Sequence, residues 1–262
     1  MDSQSHTAGF STVATLRCRD RIFENIQAIV FDKDGTLAEV ESYLKSLGQK
    51  RARLVDAKIP GVQEPLLLAF GLEASGVSPM GLLAVGSRRE NEIAAAAYVA
   101  ETGRDWAEAV AIAAAAFQEA ESYLKPKAVH TPLLPNLGDS LSQLAQSGLK
   151  LGILSADTTA HIKEFVETYQ LSSSIAAYQG DDGEGMSKPD PKLYELICRQ
   201  LNVSPEQTVM IGDSTLDMKM ARAAGSAGCV GVTWGWKMPV AIAQATCILD
   251  RPEDLQVFRE GV

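Results

Sequence analysis

Cysteine, histidine and positive charge are all scarce in this sequence, and each scarcity excludes or disfavours a class of protein. Four cysteines among 262 residues (Cys18, Cys198, Cys229 and Cys247) lie far apart and show no metal-ligand spacing. That argues against a disulfide framework and predicts free thiols in a reducing cytoplasm. The three histidines form no cluster, and His130 and His161 read as surface residues without partners. No apolar run approaches the roughly 18–20 residues that a membrane span needs. The opening residues have no basic segment leading into an apolar stretch, so a secretory signal is not expected. Lysine and arginine number 24 against 33 aspartates and glutamates, a net charge of −9. A nucleic-acid partner, which calls for a basic face, is disfavoured on that balance. An anionic ligand requires a local positive field from a metal and a few lysines or arginines.

What is present is an ordinary globular composition, 46% hydrophobic and 22% charged, long enough for a core domain plus a smaller one. Residues 1–13 are small and polar and read as frayed. Ala14–Cys18 and Arg21–Phe23 flank Arg19-Asp20 and predict a short edge hairpin. Ile26–Phe31 is a continuous apolar run, as in strands buried on both faces. From Glu41 to Lys125 the spacing turns helical, with helices expected over 41–58, 64–75, 88–102 and 105–125 and no strand between them. Ser87-Arg88-Arg89-Glu90 fits a capping box, so a helix begins at Arg88. After Pro126 the rhythm alternates. Helices are expected at 138–146, 158–169, 191–201 and 215–224, and strands at 150–154, 175–178, 208–211 and 229–233. Segments 238–244, 246–249 and 252–259 complete the pattern. The expectation is an α/β fold, a doubly wound, mostly parallel Rossmann-like sheet. Residues 1–37 and 128–262 would form this core domain, and 38–127 an inserted α-helical cap domain.

Four polar clusters stand out: Phe31-Asp32-Lys33-Asp34-Gly35-Thr36-Leu37, Leu154-Ser155, Ser187-Lys188-Pro189-Asp190-Pro191, and Gly212-Asp213-Ser214-Thr215-Leu216-Asp217. Three sit at strand ends, where open α/β sheets bind ligands. Asp32 and Asp34 are two apart in an extended segment, so both carboxylates point to one side. Taken singly, each cluster has an ordinary structural reading: an Asp-Gly turn, a strand-ending serine, a surface lysine, a helix N-cap.

Together and in this order, the clusters resemble the haloacid dehalogenase superfamily, in the branch whose helical cap follows the first motif. The resemblance runs from about Gln27 to Leu249 and extends in overall layout to the phosphoglycolate phosphatase type. It implies a Mg²⁺-dependent phosphatase acting on a small phosphorylated metabolite. Asp32 is the candidate nucleophile and Asp34 the candidate general acid and base. The resemblance places the metal on Asp32, the backbone carbonyl of Asp34 and Asp213, with Asp217 behind a bound water. Ser155, the Ala156 N–H and Lys188 would hold the phosphoryl oxygens. Asp190 reads as structural, an N-cap preceding Pro191. Two positions depart from the commonest pattern. Lys33 stands between the aspartates and should point away from them by strand alternation. Asp157 follows Ser155-Ala156, where an amide or hydroxyl is more usual.

In the cap, Arg88 and Arg89 open a helix and are the candidate readers of the substrate's tail. Lys45, Lys50, Arg51 and Arg53 read as a solvated face, and Tyr43, Tyr98, Trp106, Phe117 and Tyr123 as cap core. Trp234-Gly235-Trp236 follows a strand end without an evident role. The alternatives are a sugar-phosphate phosphatase, a phosphomutase, a pyrophosphatase and, furthest away, a non-enzymatic interaction protein on the same scaffold. A monomer or homodimer is expected.

Overall fold

The computed structural model describes residues 13–183 and 185–259, so the fraying expected of residues 1–13 lies, but for Val13, outside the described residues. The strands are β1 (Ala14–Cys18), β2 (Arg21–Ile26), β3 (Ala28–Phe31), β4 (Leu72–Glu73), β5 (Gly76–Val77), β6 (Lys150–Leu154), β7 (Ile175–Gln179), β8 (Thr208–Gly212), β9 (Gly228–Val232), β10 (Cys247–Leu249) and β11 (Leu255–Arg259). The α-helices are α1 (Glu41–Asp56), α2 (Gln63–Phe70), α3 (Leu82–Val85), α4 (Arg88–Glu101), α5 (Trp106–Ser122), α6 (Lys127–His130), α7 (Leu137–Gln146), α8 (Thr159–Thr168), α9 (Pro191–Leu201) and α10 (Thr215–Ala223).

Six strands form one parallel sheet in the order β10-β9-β8-β3-β6-β7. Its central strands are buried along their whole length because helices cover both faces. Side-chain alternation sorts residues between the two faces. Ile29 and Phe31 join a cluster with Leu141, Ile162 and Phe165, whereas Ala28 and Val30 join Tyr194, Ile197 and Met218. β3 lies between β8 and β6, so strand order reverses beside it and a crevice opens at its C-terminal end.

Buried residues between Val40 and Leu124 form a hydrophobic cluster of their own. The capping box that starts α4 is present, with Ser87 and Glu90 bonded to each other's backbone N–H. Several expectations need correction. The helix expected over 64–75 stops at Phe70, because Gly71 adopts the left-handed conformation (φ +77°). The antiparallel pair β4–β5 follows, a strand interruption the helical pattern did not suggest. The β1–β2 hairpin does not edge the main sheet. It pairs with β11 in a separate three-stranded antiparallel sheet. Residues 238–244 have no regular helix or strand. Arg51 is buried against Glu121 at 2.8 Å and over the Phe117 ring, whereas Trp106 and Tyr123 are exposed. All four cysteines are free. Among the described residues, no helix is long and apolar enough to cross a membrane.

Candidate active site

Asp32 follows the last residue of β3, and its N–H bonds the Ile211 carbonyl of β8 at 2.8 Å. β3 ends at Phe31, so the next residues are free to turn. The N–H groups of Thr36, Leu37 and Ala38 all converge on the Lys33 carbonyl, which folds the loop back on itself. Ser155 extends β6, is buried, and its Oγ accepts the Asp157 N–H at 3.1 Å. Lys188 comes from a loop pinned by the Asp190 N-cap and Pro191 at the start of α9. Asp213 follows β8, and Asp217 closes a capping box with Ser214 at the start of α10.

These elements bring together Asp32, Asp34, Ser155, Ala156, Lys188, Asp213 and Asp217 around a pocket of about 50 Å³ roofed by Pro79, Ala84 and Val85. Lys188 Nζ lies 2.6 Å from both Asp32 Oδ1 and Asp217 Oδ1. Asp32, Asp213 and Asp217 are buried, with one oxygen of each within 4.8 Å of the others. Burial, then Asp217 among the neighbouring carboxylates, pushes Asp32 up to about 6 against the opposing pull of Lys188. Burial and the charges of Asp32 and Asp217 drive Asp213 well above the carboxylate range. Lys188 would be lowered by burial, but Asp217 and Asp32 outweigh that and raise it. Three carboxylates thus face one ammonium. When all three are ionised, the uncompensated charge equals that of one divalent cation, and a donor set made of oxygen alone suits a hard ion such as Mg²⁺. The residues fit the group.

A second cluster adjoins this one, and the sequence did not reveal its pairings. Lys33 is buried and does not point away: its Nζ bonds Asp34 Oδ1 and lies 3.3 Å from Asp157 Oδ2. Strand alternation does not apply to it, because the strand has already ended. Lys127, from α6, reaches Asp34 Oδ2 at 3.0 Å and Asp157 Oδ2 at 2.5 Å. His161 is not solitary either, with Nδ1 2.8 Å from Asp157 Oδ1, while His130 is exposed as expected. Burial raises the Asp34 carboxyl, but Lys127 and Lys33 prevail and hold it below its usual value. Asp157 is held lower still by Lys127, Lys33 and His161, which overcome its burial. The unusual residues at 33 and 157 were visible in the sequence, but nothing local linked either to Lys127.

Asp157→Asn is expected to cost about 3 kcal/mol of stability at pH 7, since it strips a buried ion cluster of one partner. A depressed carboxylate stabilises the fold above its ordinary value of 3.8, and that contribution is lost as pH falls further, through its folded value. The variant should therefore lose stability less steeply below about pH 4 than the parent. Urea unfolding at pH 7 and at pH 3–4 measures both. Equal slopes would refute the charged role of Asp157.

The pocket opens into a cleft of about 610 Å³ between the sheet's edge and the helical segment. Arg51, Arg88, Arg89, Lys125 and Lys127 line it, opposed by Glu92, Glu121, Asp157, Asp181 and Asp182. Arg88 bonds Glu121 at 2.9 Å and Glu92 at 2.6 Å, whereas Arg89 is mostly exposed and only 3.7 Å from Glu92.

The haloacid dehalogenase-like hydrolase family model matches residues 26–225, and the chain belongs to that family. Phosphoglycolate phosphatase of Salmonella paratyphi A is 32% identical over 127 residues, which is 48% of this chain and 50% of that protein. The Escherichia coli K12 phosphoglycolate phosphatase is 30% identical over 112 residues, 43% of this chain and 44% of that protein. The chain thus spans about half the length of the curated relatives it matches, or less. The crystal structure of a predicted phosphoglycolate phosphatase from Haemophilus somnus 129pt is similar with a TM-score of 0.67 at 20% identity, covering 87% of this chain and 96% of that one. CbbY from Rhodobacter sphaeroides, solved in complex with phosphate, gives 0.54 at 20% identity over 87% and 95% of the two chains. At these identities the two structures bear on the fold alone.

Proposed function

We propose that the protein is a Mg²⁺-dependent phosphatase of small phosphomonoesters, working through an aspartyl-phosphate on Asp32. The observation that carries this reading is the buried Asp32 carboxylate bonded to Lys188 and grouped with Asp213 and Asp217. Asp32, Asp213 and the Asp34 carbonyl would hold the ion, with Asp217 behind them. When bound, Mg²⁺ neutralises the charge that builds on the phosphoryl oxygens.

The remaining steps belong to the chain. Lys188, Ser155 and the Ala156 N–H orient the phosphoryl group. An Asp32 oxygen attacks phosphorus as the bond to the leaving oxygen breaks. Lys33 and Lys127 hold Asp34 as a carboxylate, so the proton for the leaving oxygen enters on the substrate's monoanion and Asp34 relays it. Asp34 then takes a proton from the water that attacks the aspartyl-phosphate, which regenerates Asp32. Residues 38–127 act as a cap domain over this chemistry. The free thiols fit a reducing compartment such as the cytoplasm.

Phosphoglycolate is the first choice of substrate, supported by the names of the sequence relatives. Arg88 and Arg89, on the cleft wall, would read its carboxylate. Replacing both with alanine should raise KM for phosphoglycolate about tenfold, from lost charge-assisted hydrogen bonds. A neutral aryl phosphate should change much less. Parallel losses on both substrates would make the arginines structural, and no change on either would move the tail-reading residues elsewhere in the cleft.

The size of the cleft favours a second reading, a sugar phosphate, since a two-carbon acid leaves most of 610 Å³ unfilled. Phosphate release from a panel of phosphorylated metabolites decides between them. Conversion of a sugar phosphate without phosphate release would mark a phosphomutase instead.

A further inference from the structure

Trp234-Gly235-Trp236, just beyond β9, presses on the site from behind. Trp236 Nε1 donates to Asp213 Oδ2. Trp234 Nε1 donates to the Thr36 carbonyl at 2.8 Å. Between the two indoles, Gly235 lies directly on Gly35. A Cβ on Gly235 would overlap the Gly35 carbonyl. A Cβ on Gly35, whose φ is +81°, would overlap Asp213 Oδ2 and Trp236 Nε1. Backbone meets backbone here, with the indole N–H and the Asp213 carboxylate both close against Gly35.

The other side of Trp236 is also held. Its ring packs against the hydrophobic cluster of the helical segment. The next residue, Lys237, donates its N–H to Glu41 Oε2 at 3.3 Å. An indole has one N–H and no acceptor. This one is aimed at a buried carboxylate, in a group of three whose charge calls for a cation.

We infer that Trp236 is a positioning residue for Asp213: its N–H takes Oδ2, while Oδ1 meets only a long 3.4 Å contact from the Thr36 hydroxyl, so that Asp213 offers a divalent ion Oδ1 alone and the site prefers Mg²⁺ to Ca²⁺. The inference rests on the reading of Asp32, Asp213 and Asp217 as a metal site. Mg²⁺ requires near-octahedral geometry and one-oxygen carboxylate ligands suit it, whereas Ca²⁺ readily takes both oxygens of a carboxylate. Hydrogen-bond partners that orient a metal ligand are generally worth about 10–100-fold in metal affinity. A packing role alone would alter stability and leave the choice of ion unchanged.

The test is calorimetric titration of Mg²⁺ and Ca²⁺ into the wild-type protein, Trp236→Phe and Asp213→Asn, with melting temperatures recorded. Phenylalanine keeps an aromatic ring and removes the donor. Mg²⁺ should bind about tenfold or more weakly in Trp236→Phe, with a smaller loss for Ca²⁺, so the preference for Mg²⁺ falls. An unchanged Mg²⁺/Ca²⁺ ratio overturns the inference. A second measurement needs no variant: in Mg²⁺-loaded wild type, the Trp236 indole N–H should resist solvent exchange by NMR. Rapid exchange there also overturns it. If wild type binds no Mg²⁺, or Asp213→Asn binds it equally well, the metal-site reading itself has failed. If both of those behave as expected and Trp236→Phe keeps the wild-type ratio, the role of Trp236 alone has failed.

Discussion

Asp32→Asn is expected to lower kcat by about 10³-fold or more while leaving the protein folded. The substitution keeps the shape of the side chain but removes the attacking charge. It also has a signed effect on stability. Asp32 is held up at about 6, above the ordinary carboxylate value of 3.8, so between these values the folded protein binds more protons than the unfolded chain. Stability of the metal-free protein therefore falls as pH rises through this window, and Asp32 remains a liability above it. The neutral asparagine removes that liability. Metal-free Asp32→Asn should accordingly show no decline in melting temperature between pH 4 and 6 from this group. Steady-state kinetics and thermal melts across that range check both parts. Retention of more than about a tenth of the parent rate would contradict the covalent route.

Lys188→Met carries the second large effect. Lys188 Nζ is shared by Asp32 and Asp217, all three groups are buried, and Asp213 stands in the same group. Methionine fills similar volume without charge and leaves three carboxylates facing one another. Stripping the cation from a buried cluster typically costs about 3–5 kcal/mol. The metal-free variant should lose about that much in urea unfolding, and kcat should fall at least about 100-fold. Saturating Mg²⁺ should restore more stability to the variant than it adds to the parent, because the ion now meets an uncompensated site. A metal-free stability within about 1 kcal/mol of the parent would show that Lys188 is not the counter-ion the geometry implies.

The residues at the strand ends were legible because each carries a local signal. Asp32 follows a continuous apolar run, Asp213 follows another, and Asp190-Pro191 announces the helix behind Lys188. Asp217 is both the acid of a capping box and a contact of Lys188, so its local and functional readings coincide. Patterns failed where burial depends on distant partners. Arg51 lay in a basic stretch of a helix and read as solvated, yet Glu121, far along the chain, draws it inside. Trp106 and Tyr123 read as core by residue type, but they stand at the two ends of α5, where both are exposed. Lys33 was misread because a two-residue period was extended past the end of its strand.

The sequence by itself determined the α/β alternation, the placement of four polar clusters and the shortage of positive charge, since each depends on neighbours a few residues apart. Tertiary structure alone decided how the charges pair. Lys127 meets Asp34 and Asp157, Lys188 meets Asp32 and Asp217, and Trp236 reaches Asp213. Those pairs are fixed by the parallel strand order that sets β6, β3 and β8 side by side. Hydrogen bonds and ion pairs act over a few ångströms, so partners separated in sequence become partners only once that order exists.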